Sequence, residues 1–160
     1  PRKTLDTLSE PMFYVLMALR HQPLCGADIA QWVSARTEKR LALGPGTLYT
    51  ILGKLTDEQM IRETAVEGRK RTYTITEDGS AMLKLMPYEP YEIDALESWL
   101  DEQARKGCFL SQSHGKWLQF YRDAPRPLRC RIDVKPDPGY HEDRVAAFRD
   151  MGWEYVCELS

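Results

Sequence analysis

The chain has 160 residues, of which 42% are hydrophobic and 29% are charged, and its formal net charge is −2. This length suits one ordinary domain or two small ones, and the composition is typical of a folded globular protein rather than a disordered one. No apolar run approaches the roughly 20 residues of a membrane span, and no long apolar stretch follows Arg2 and Lys3, so no secretory signal is predicted. We therefore expect a cytoplasmic protein.

The chain's cysteines and histidines predict neither a metal site nor a cofactor. None of Cys25, Cys108, Cys130 and Cys157 has the close spacing of a zinc knuckle or a redox pair. We expect reduced thiols that pack in the protein interior. The remaining candidates, His114 and His141, lie near predicted turns, and no set of ligands or catalytic groups accompanies them.

The first two predicted elements are helices. The first begins near Ser9, with Pro11 in its first turn, where a missing backbone N–H costs little. The second covers residues 26–36 and has apolar side chains along one side. A turn at residues 45–46 leads to a third helix, for which Thr47 is the predicted N-cap.

The third helix is predicted to be amphipathic. Its apolar residues fall at positions i, i+3, i+4 and i+7 and therefore share one face that must be buried: Leu48, Ile51, Leu52 and Leu55. The other face carries short polar or cationic groups: Thr47, Tyr49, Thr50, Gly53 and Lys54. A glycine inside a helix costs about 1 kcal/mol relative to alanine, and a close approach to another surface would explain why Gly53 is there.

A hairpin with a basic tip follows this helix. Its predicted strands are residues 61–66 and 70–75, and residues 67–69 form the turn between them. Three adjacent cations lie at the tip: Arg69, Lys70 and Arg71. Thr76 is then the predicted cap of a fourth helix over residues 77–86.

An amphipathic helix followed by a basic hairpin is the order in which a winged helix meets DNA. The helix enters the major groove, and the positive loop reaches the backbone beside it. Two plainer interpretations stay open: the Tyr49 ring could pack against the first helix, and the three cations could form a solvated turn. The charge distribution favours DNA binding by the first domain, but weakly. Residues 1–86 carry 12 Lys and Arg against 10 Asp and Glu, and residues 87–160 carry 10 Lys and Arg against 14 Asp and Glu.

The sequence predicts two domains, residues 1–86 and residues 87–160, with a proline-flanked linker over residues 86–90. The predicted fold class is α+β: a winged helix-turn-helix followed by a small domain of helix, three antiparallel strands, helix and strand. The elements of this small domain are a helix that Gly107 ends, strands at 108–113, 116–122 and 128–134, a helix at 141–151, and a strand at 153–159. The last strand would belong to a partial repeat of the first helix and strand, so we expect the second domain to be incomplete here.

Residues 13–83 resemble the PadR family of winged-helix transcriptional regulators. The residues that carry the resemblance are Leu48-Tyr49, Leu52, Leu55, Ile61, Gly68-Arg69-Lys70-Arg71, Tyr73, Thr76-Glu77 and Gly79. The resemblance implies a dimeric repressor that binds a palindromic operator through its third helix and its wing. It thereby points to a DNA-binding set consisting of Thr47, Tyr49, Thr50, Lys54, Arg69, Lys70 and Arg71.

The chain departs from the family pattern in two places. Gln59 stands where members usually have a glycine, so the third helix must end without an easy left-handed residue. Members also tend to carry a long dimerisation helix after the wing, whereas here only residues 76–86 precede the linker. The element that pairs two copies is therefore not identified by the resemblance.

Residues 88–159 are similar to a family of small domains of unknown function that occur behind PadR-like winged helices or ahead of membrane segments. The residues that carry this similarity lie at 95–100, 104–107, 131–133 and 152–156. No activity is implied, and a sensing or interaction role is the expectation.

We therefore expect a regulator without enzymatic activity, a repressor that binds double-stranded DNA as a homodimer, with an effector of unknown identity. The alternative from another class is a protein-interaction module, in which the winged helix and the acidic second domain are docking surfaces. The weak net charge favours this alternative slightly, and retention on heparin or random DNA at low salt would discriminate the two.

Overall fold

The computed structural model describes residues 8–89, 91–134 and 141–159, and its elements have the mixed α+β composition that the sequence predicts. The chain divides into two compact units, residues 1–84 and residues 85–160. Within the described ranges, no helix combines the length and apolar character that crossing a membrane requires.

The first unit has a helix-turn-helix followed by a hairpin. Its helices are α1 (Glu10–Leu19), α2 (Gly26–Arg36), α3 (Pro45–Asp57) and the short α4 (Glu77–Ala81). Its strands are β1 (Leu24–Cys25), β2 (Ile61–Glu67) and β3 (Lys70–Ile75), which form an antiparallel sheet in the order β1-β3-β2. The predicted winged helix is therefore present, and we call β2, β3 and their turn the wing.

Helix α1 forms the centre of the first unit. It begins where the sequence predicts, because the Ser9 hydroxyl accepts a hydrogen bond from the Met12 N–H and Pro11 lies in the first turn. Val15 and Leu16 are fully buried, and α1 contacts α2, α3 and β3. Helices α2 and α3 and strand β3 therefore pack against a largely buried helix.

Helix α3 begins differently from the prediction. Its N-cap is Gly44 rather than Thr47, because Pro45 occupies the first helical position, where its fixed φ and missing N–H are compatible with a helix. Thr47 consequently lies inside the first turn, and its side chain is exposed. The Thr47 hydroxyl therefore does not cap α3, contrary to the sequence-based prediction.

Gln59 supplies the left-handed residue that the end of α3 needs. Its φ is +60°, and the Met60 N–H donates to the Leu55 carbonyl at 2.9 Å while the Gln59 N–H donates to the Thr56 carbonyl at 3.0 Å. These two bonds are the pattern of a Schellman motif, in which glycine is the usual left-handed residue. The departure from the family pattern is therefore accommodated by strain at a glutamine.

A threonine and a glycine fix the junction after the wing. The Thr76 hydroxyl accepts the Gly79 N–H at 3.1 Å, and it lies 2.7 Å and 2.9 Å from the carbonyl oxygens of Gln59 and Met60. A side chain at position 79 would place its Cβ 2.1 Å from the Met60 carbonyl oxygen. Only glycine fits this approach, which ties α4 to the start of β2.

The fourth helix is shorter than predicted. It ends at Ala81 rather than at residue 86, and Leu83–Leu85 form a strand, β4. The cap at Thr76 is confirmed, but Gly79 and Ser80 are weak helix formers, and Leu83 and Leu85 alternate with Lys84. Pairing with another strand of the same sheet then determines the conformation of residues 83–85.

The second unit contains α5 (Ile93–Arg105), β5 (Cys108–His114), β6 (Trp117–Arg122) and α6 (His141–Asp150), and the strand order is β4-β6-β5. The two helices and the hairpin are confirmed. The core of this unit lies between α5 and the hairpin and consists of Leu96, Leu100, Cys108, Leu118 and Phe120.

Two predicted strands are wrong. Residues 128–134 form no strand, because the N–H groups of Cys130 and Ile132 donate to the carboxylates of Asp101 and Glu97 on α5, each at 2.6 Å. Residues 153–159 also form no strand, although the Ser113 hydroxyl on β5 donates to the Glu158 carbonyl. Pro90, from the predicted linker, lies outside the described residues.

The four cysteines are free thiols, as expected. Cys25 and Cys108 are buried, whereas Cys130 and Cys157 are half-buried, so only two of them meet the expectation of a core position. Burial raises the pKa of the Cys130 thiol to about 12, with a further contribution from its hydrogen bond with Asp101, and burial raises the pKa of Cys157 to about 11. At neutral pH both are therefore protonated and poor nucleophiles.

Candidate nucleic-acid interface

Helix α3 buries one face and exposes the other, as its spacing predicts. Its four apolar residues are 0–7% exposed, and they are Leu48, Ile51, Leu52 and Leu55. The polar face is exposed and carries Thr47, Tyr49, Thr50, Gly53 and Lys54. Apart from its chain neighbours and the backbone of its own helix, no described atom lies within 4 Å of the position that a Cβ at Gly53 would occupy. Packing inside the chain therefore does not require that glycine, and the helix surface there is open to a partner.

Three of the sequence-predicted residues line one groove. Thr47, Thr50 and Lys54, together with Ser9 and Pro11 at the start of α1, surround an open groove of about 540 Å³. Two hydroxyls and one ammonium group on successive turns give this groove donors, acceptors and one positive charge. The groove therefore combines these polar side chains with an apolar wall to which Pro11 and Ile51 contribute.

The hydroxyl of Thr50 is already used as a donor. It donates to the Gly46 carbonyl at 2.9 Å, one turn earlier in α3. Its remaining lone pairs can accept, and its methyl group can contact another apolar group. Toward a base pair, Thr50 thus offers an acceptor for an amino group or a methyl contact with thymine.

Tyr49 projects beside the first residue of α2. Its side chain is 56% exposed, and its hydroxyl would lie 3.8 Å from a Cβ added at Gly26. The first turn of a helix carries N–H groups and the positive end of the helix dipole. The Tyr49 hydroxyl therefore lies close to the start of α2, whose first turn also carries the carboxylate of Asp28.

The wing presents its three cations to solvent. Arg69, Lys70 and Arg71 are all exposed. Gly68 has a φ of +61°, which suits the first position of a two-residue hairpin turn, so Arg69 and Lys70 are held at the tip. Arg71 lies further back and has a carboxylate neighbour, since its Nη1 is 3.4 Å from Glu63 Oε2.

Glu63, which the sequence patterns did not single out, lies on the wing beside Arg71 and the buried Tyr73. Tyr73 is 6% exposed and pairs with Glu63 across the strands. Burial raises the pKa of Tyr73, the negative charge of Glu63 raises it further, and Arg71 opposes both effects. The alternation of Tyr73 with its neighbours predicts its burial, but the interactions among Glu63, Arg71 and Tyr73 depend on side-chain rotamers, which no sequence pattern gives.

The described residues contain no group of three His, Cys, Asp or Glu side chains that could hold a metal ion. The polar surface of the first unit is instead a helix face and a basic hairpin. Such a surface can donate, accept and neutralise negative charge, and nothing in its described side chains resembles a nucleophile held by a base.

Solved structures that resemble this chain include several regulators. A transcriptional regulator from Clostridium thermocellum is 22% identical, covers 46% of this chain and 79% of its own, and gives a TM-score of 0.41. A PadR family transcription regulator from Clostridium difficile is 18% identical, covers 59% and 88%, and gives 0.39. Pex from a Synechococcus strain is 34% identical, covers 46% and 73%, and gives 0.36. No curated protein matches the chain.

Two family models account for most of the chain. The model of the transcriptional regulator PadR-like family matches residues 15–85, and DUF2812, described as a protein of unknown function, matches residues 92–160. The chain is therefore similar to the PadR-like family of transcriptional regulators over residues 15–85 and to the DUF2812 family over residues 92–160.

Proposed function

We propose that this chain is a cytoplasmic, non-enzymatic transcriptional repressor that binds a palindromic operator in double-stranded DNA as a homodimer. The observation that carries the proposal is the exposed polar face of α3, which Thr47, Thr50 and Lys54 form beside an open groove. The PadR-like model over residues 15–85 supports it independently.

In this proposal, α3 lies in the major groove. There, each base pair presents a distinct pattern of donors, acceptors and methyl groups. Lys54 can donate to guanine, while Thr47 and Thr50 can contact amino or methyl groups. Gly53, which has no Cβ, lets the helix backbone come close to the base edges.

The wing and Tyr49 position the helix in the groove. Arg69, Lys70 and Arg71 would bind phosphates, and such contacts fix the orientation of the protein without reading the sequence. The Tyr49 hydroxyl beside the start of α2 would bind a further phosphate.

A dimer would place two α3 helices in successive major grooves, about 34 Å apart, so the operator would contain two half-sites one helical turn apart. The excess of acidic residues in 87–160 supports a role for that part in pairing or partner binding rather than DNA binding. The same excess favours the alternative function, a protein-interaction module, whose discriminator is failure to bind random DNA at low salt.

Replacing Lys54 by Ala tests the assignment of α3. We expect a loss of about 1–3 kcal/mol of binding free energy for each half-site that Lys54 reads, with relaxed preference at one base position. Mobility-shift titrations against an operator selected from random duplexes would measure it. The matched control is Lys116→Ala, an exposed lysine in the turn between β5 and β6. Equal affinities for all three proteins would reject the assignment.

A further inference from the structure

Glu63 and Arg71 form an ion pair on the wing, between two strands that lead away from α3. The Arg71 Nη1 atom is 3.4 Å from Glu63 Oε2, and the two side chains are 61% and 35% exposed respectively. Arg71 is one of the three cations proposed to bind phosphates, so one of the wing's positive charges already has a negative partner in the free protein.

The geometry points to Glu63 as an internal competitor of DNA phosphate for the Arg71 guanidinium, which lowers the affinity of the wing for DNA. In the free protein Arg71 pairs with Glu63, and on DNA it turns to a backbone phosphate and leaves Glu63 beside the negatively charged duplex. This inference rests on the proposed function, because it assigns a regulatory role to Glu63 on the same DNA-binding surface.

The Glu63–Arg71 pair is weak enough to exchange. A separation of 3.4 Å is at the long end for a hydrogen bond, and exposed ion pairs contribute little because water screens them and both side chains lose freedom. A phosphate, in contrast, can accept two parallel N–H bonds from one guanidinium group. Arg71 therefore has a stronger partner available on DNA than on its own hairpin.

The strands hold Glu63 in place for this competition. Glu63 pairs directly with Tyr73, whose ring is 6% exposed, and the register shifts just after it, between Glu63 and Ala65. Arg71 lies two residues before Tyr73 on the same strand, so the acidic side chain of Glu63 is a diagonal neighbour of the arginine, while the shift places Val66 directly opposite Arg71. The two strands therefore keep the Glu63 carboxylate close enough to the Arg71 guanidinium for the ion pair to form again when DNA dissociates.

The test is a double-mutant cycle in the full chain. Glu63→Gln is measured with and without Arg71→Ala, and Glu67→Gln is measured in the same two backgrounds as the matched control. Both substitutions remove one exposed carboxylate from β2, but Glu67 pairs with Lys70 instead of Arg71. Fluorescence anisotropy with a random-sequence duplex at several KCl concentrations gives affinities and salt slopes, and thermal melts check that each variant folds.

We expect Glu63→Gln to raise affinity about two- to fivefold, as the loss of a competing exposed pair allows. The slope of log K against log salt should steepen by up to about 0.9 for each wing on the duplex. In the Arg71→Ala background the Glu63→Gln gain should disappear, while any gain from Glu67→Gln should persist. An equal gain from Glu63→Gln with and without Arg71, or no gain at all, would overturn the competitor role.

The same measurements separate this inference from the proposed function. If the wild-type chain and every variant fail to bind the duplex at low salt, both are overturned. If the wild type binds and Arg71→Ala weakens it, but Glu63→Gln leaves affinity unchanged, only the competitor role is lost.

Discussion

Replacing Arg69, Lys70 and Arg71 together by Ala is expected to weaken DNA binding at every sequence and to flatten its salt dependence. Each phosphate contact contributes about −0.9 to the slope of log K against log salt, so three lost contacts would make the slope shallower by up to about 2.7 per wing. All three side chains are exposed, and Arg69 lies in the turn. The wing itself should therefore remain folded.

The measurement is an anisotropy titration with specific and random duplexes at several KCl concentrations. A matched control is the triple variant Lys116→Ala, Arg129→Ala, Arg131→Ala, which removes three exposed cations from the second unit. Equal losses of affinity and slope in the two triple variants would mean that net charge, and not the wing, governs binding.

Gly79→Ala is expected to destabilise the first unit by about 3 kcal/mol, the upper end of the usual cost of over-packing. The new Cβ would lie 2.1 Å from the Met60 carbonyl oxygen and 3.0 Å from Ile75 Cγ1. A backbone atom cannot rotate away as a flexible side chain does, so α4 must move. Its displacement would also stretch the bonds of the Thr76 hydroxyl, which cap α4 and bind the Met60 carbonyl.

Urea unfolding of the full chain, followed by circular dichroism, measures this loss. The control is Gly53→Ala, which adds the same methyl group where, apart from its chain neighbours and the backbone of its own helix, no described atom lies within 4 Å. Because alanine is the better helix former, Gly53→Ala should stabilise α3 by up to about 1 kcal/mol. Unfolding midpoints for Gly79→Ala that match the wild type would show that the Met60 contact does not constrain residue 79.

The sequence predicts those elements whose cause is local. The starts of α1 and α4 follow from the hydroxyls of Ser9 and Thr76, and the two strands of the wing follow from alternation and a glycine turn. The spacing of the leucines in α3 predicts its buried face in full, because an amphipathic helix has one way to hide that stripe.

The predicted elements are wrong where residues distant in the sequence determine the local conformation. The alternating residues 128–134 suit a strand, but carboxylates of Asp101 and Glu97, about thirty residues earlier, accept two of their N–H groups. Helix α4 gives way to β4 because a strand partner outcompetes weak helix formers. Neither partner can be identified from a local window of sequence.

In the candidate site, too, some features could be predicted from the sequence and others could not. The exposed polar residues of α3 and the basic tip of the wing follow from patterns within each element. The donor bond of Thr50 to Gly46 and the Glu63–Arg71 pair do not, because they depend on side-chain rotamers. These contacts determine which groups are available to a partner and which are already engaged.

Selection of bound duplexes from a random pool would show whether α3 reads a DNA sequence at all. We expect enrichment of an inverted repeat whose half-sites are about 10 base pairs apart, with an affinity that falls as salt rises. A chain that enriches no sequence, and that is not retained on DNA even at low salt, would contradict the proposed function.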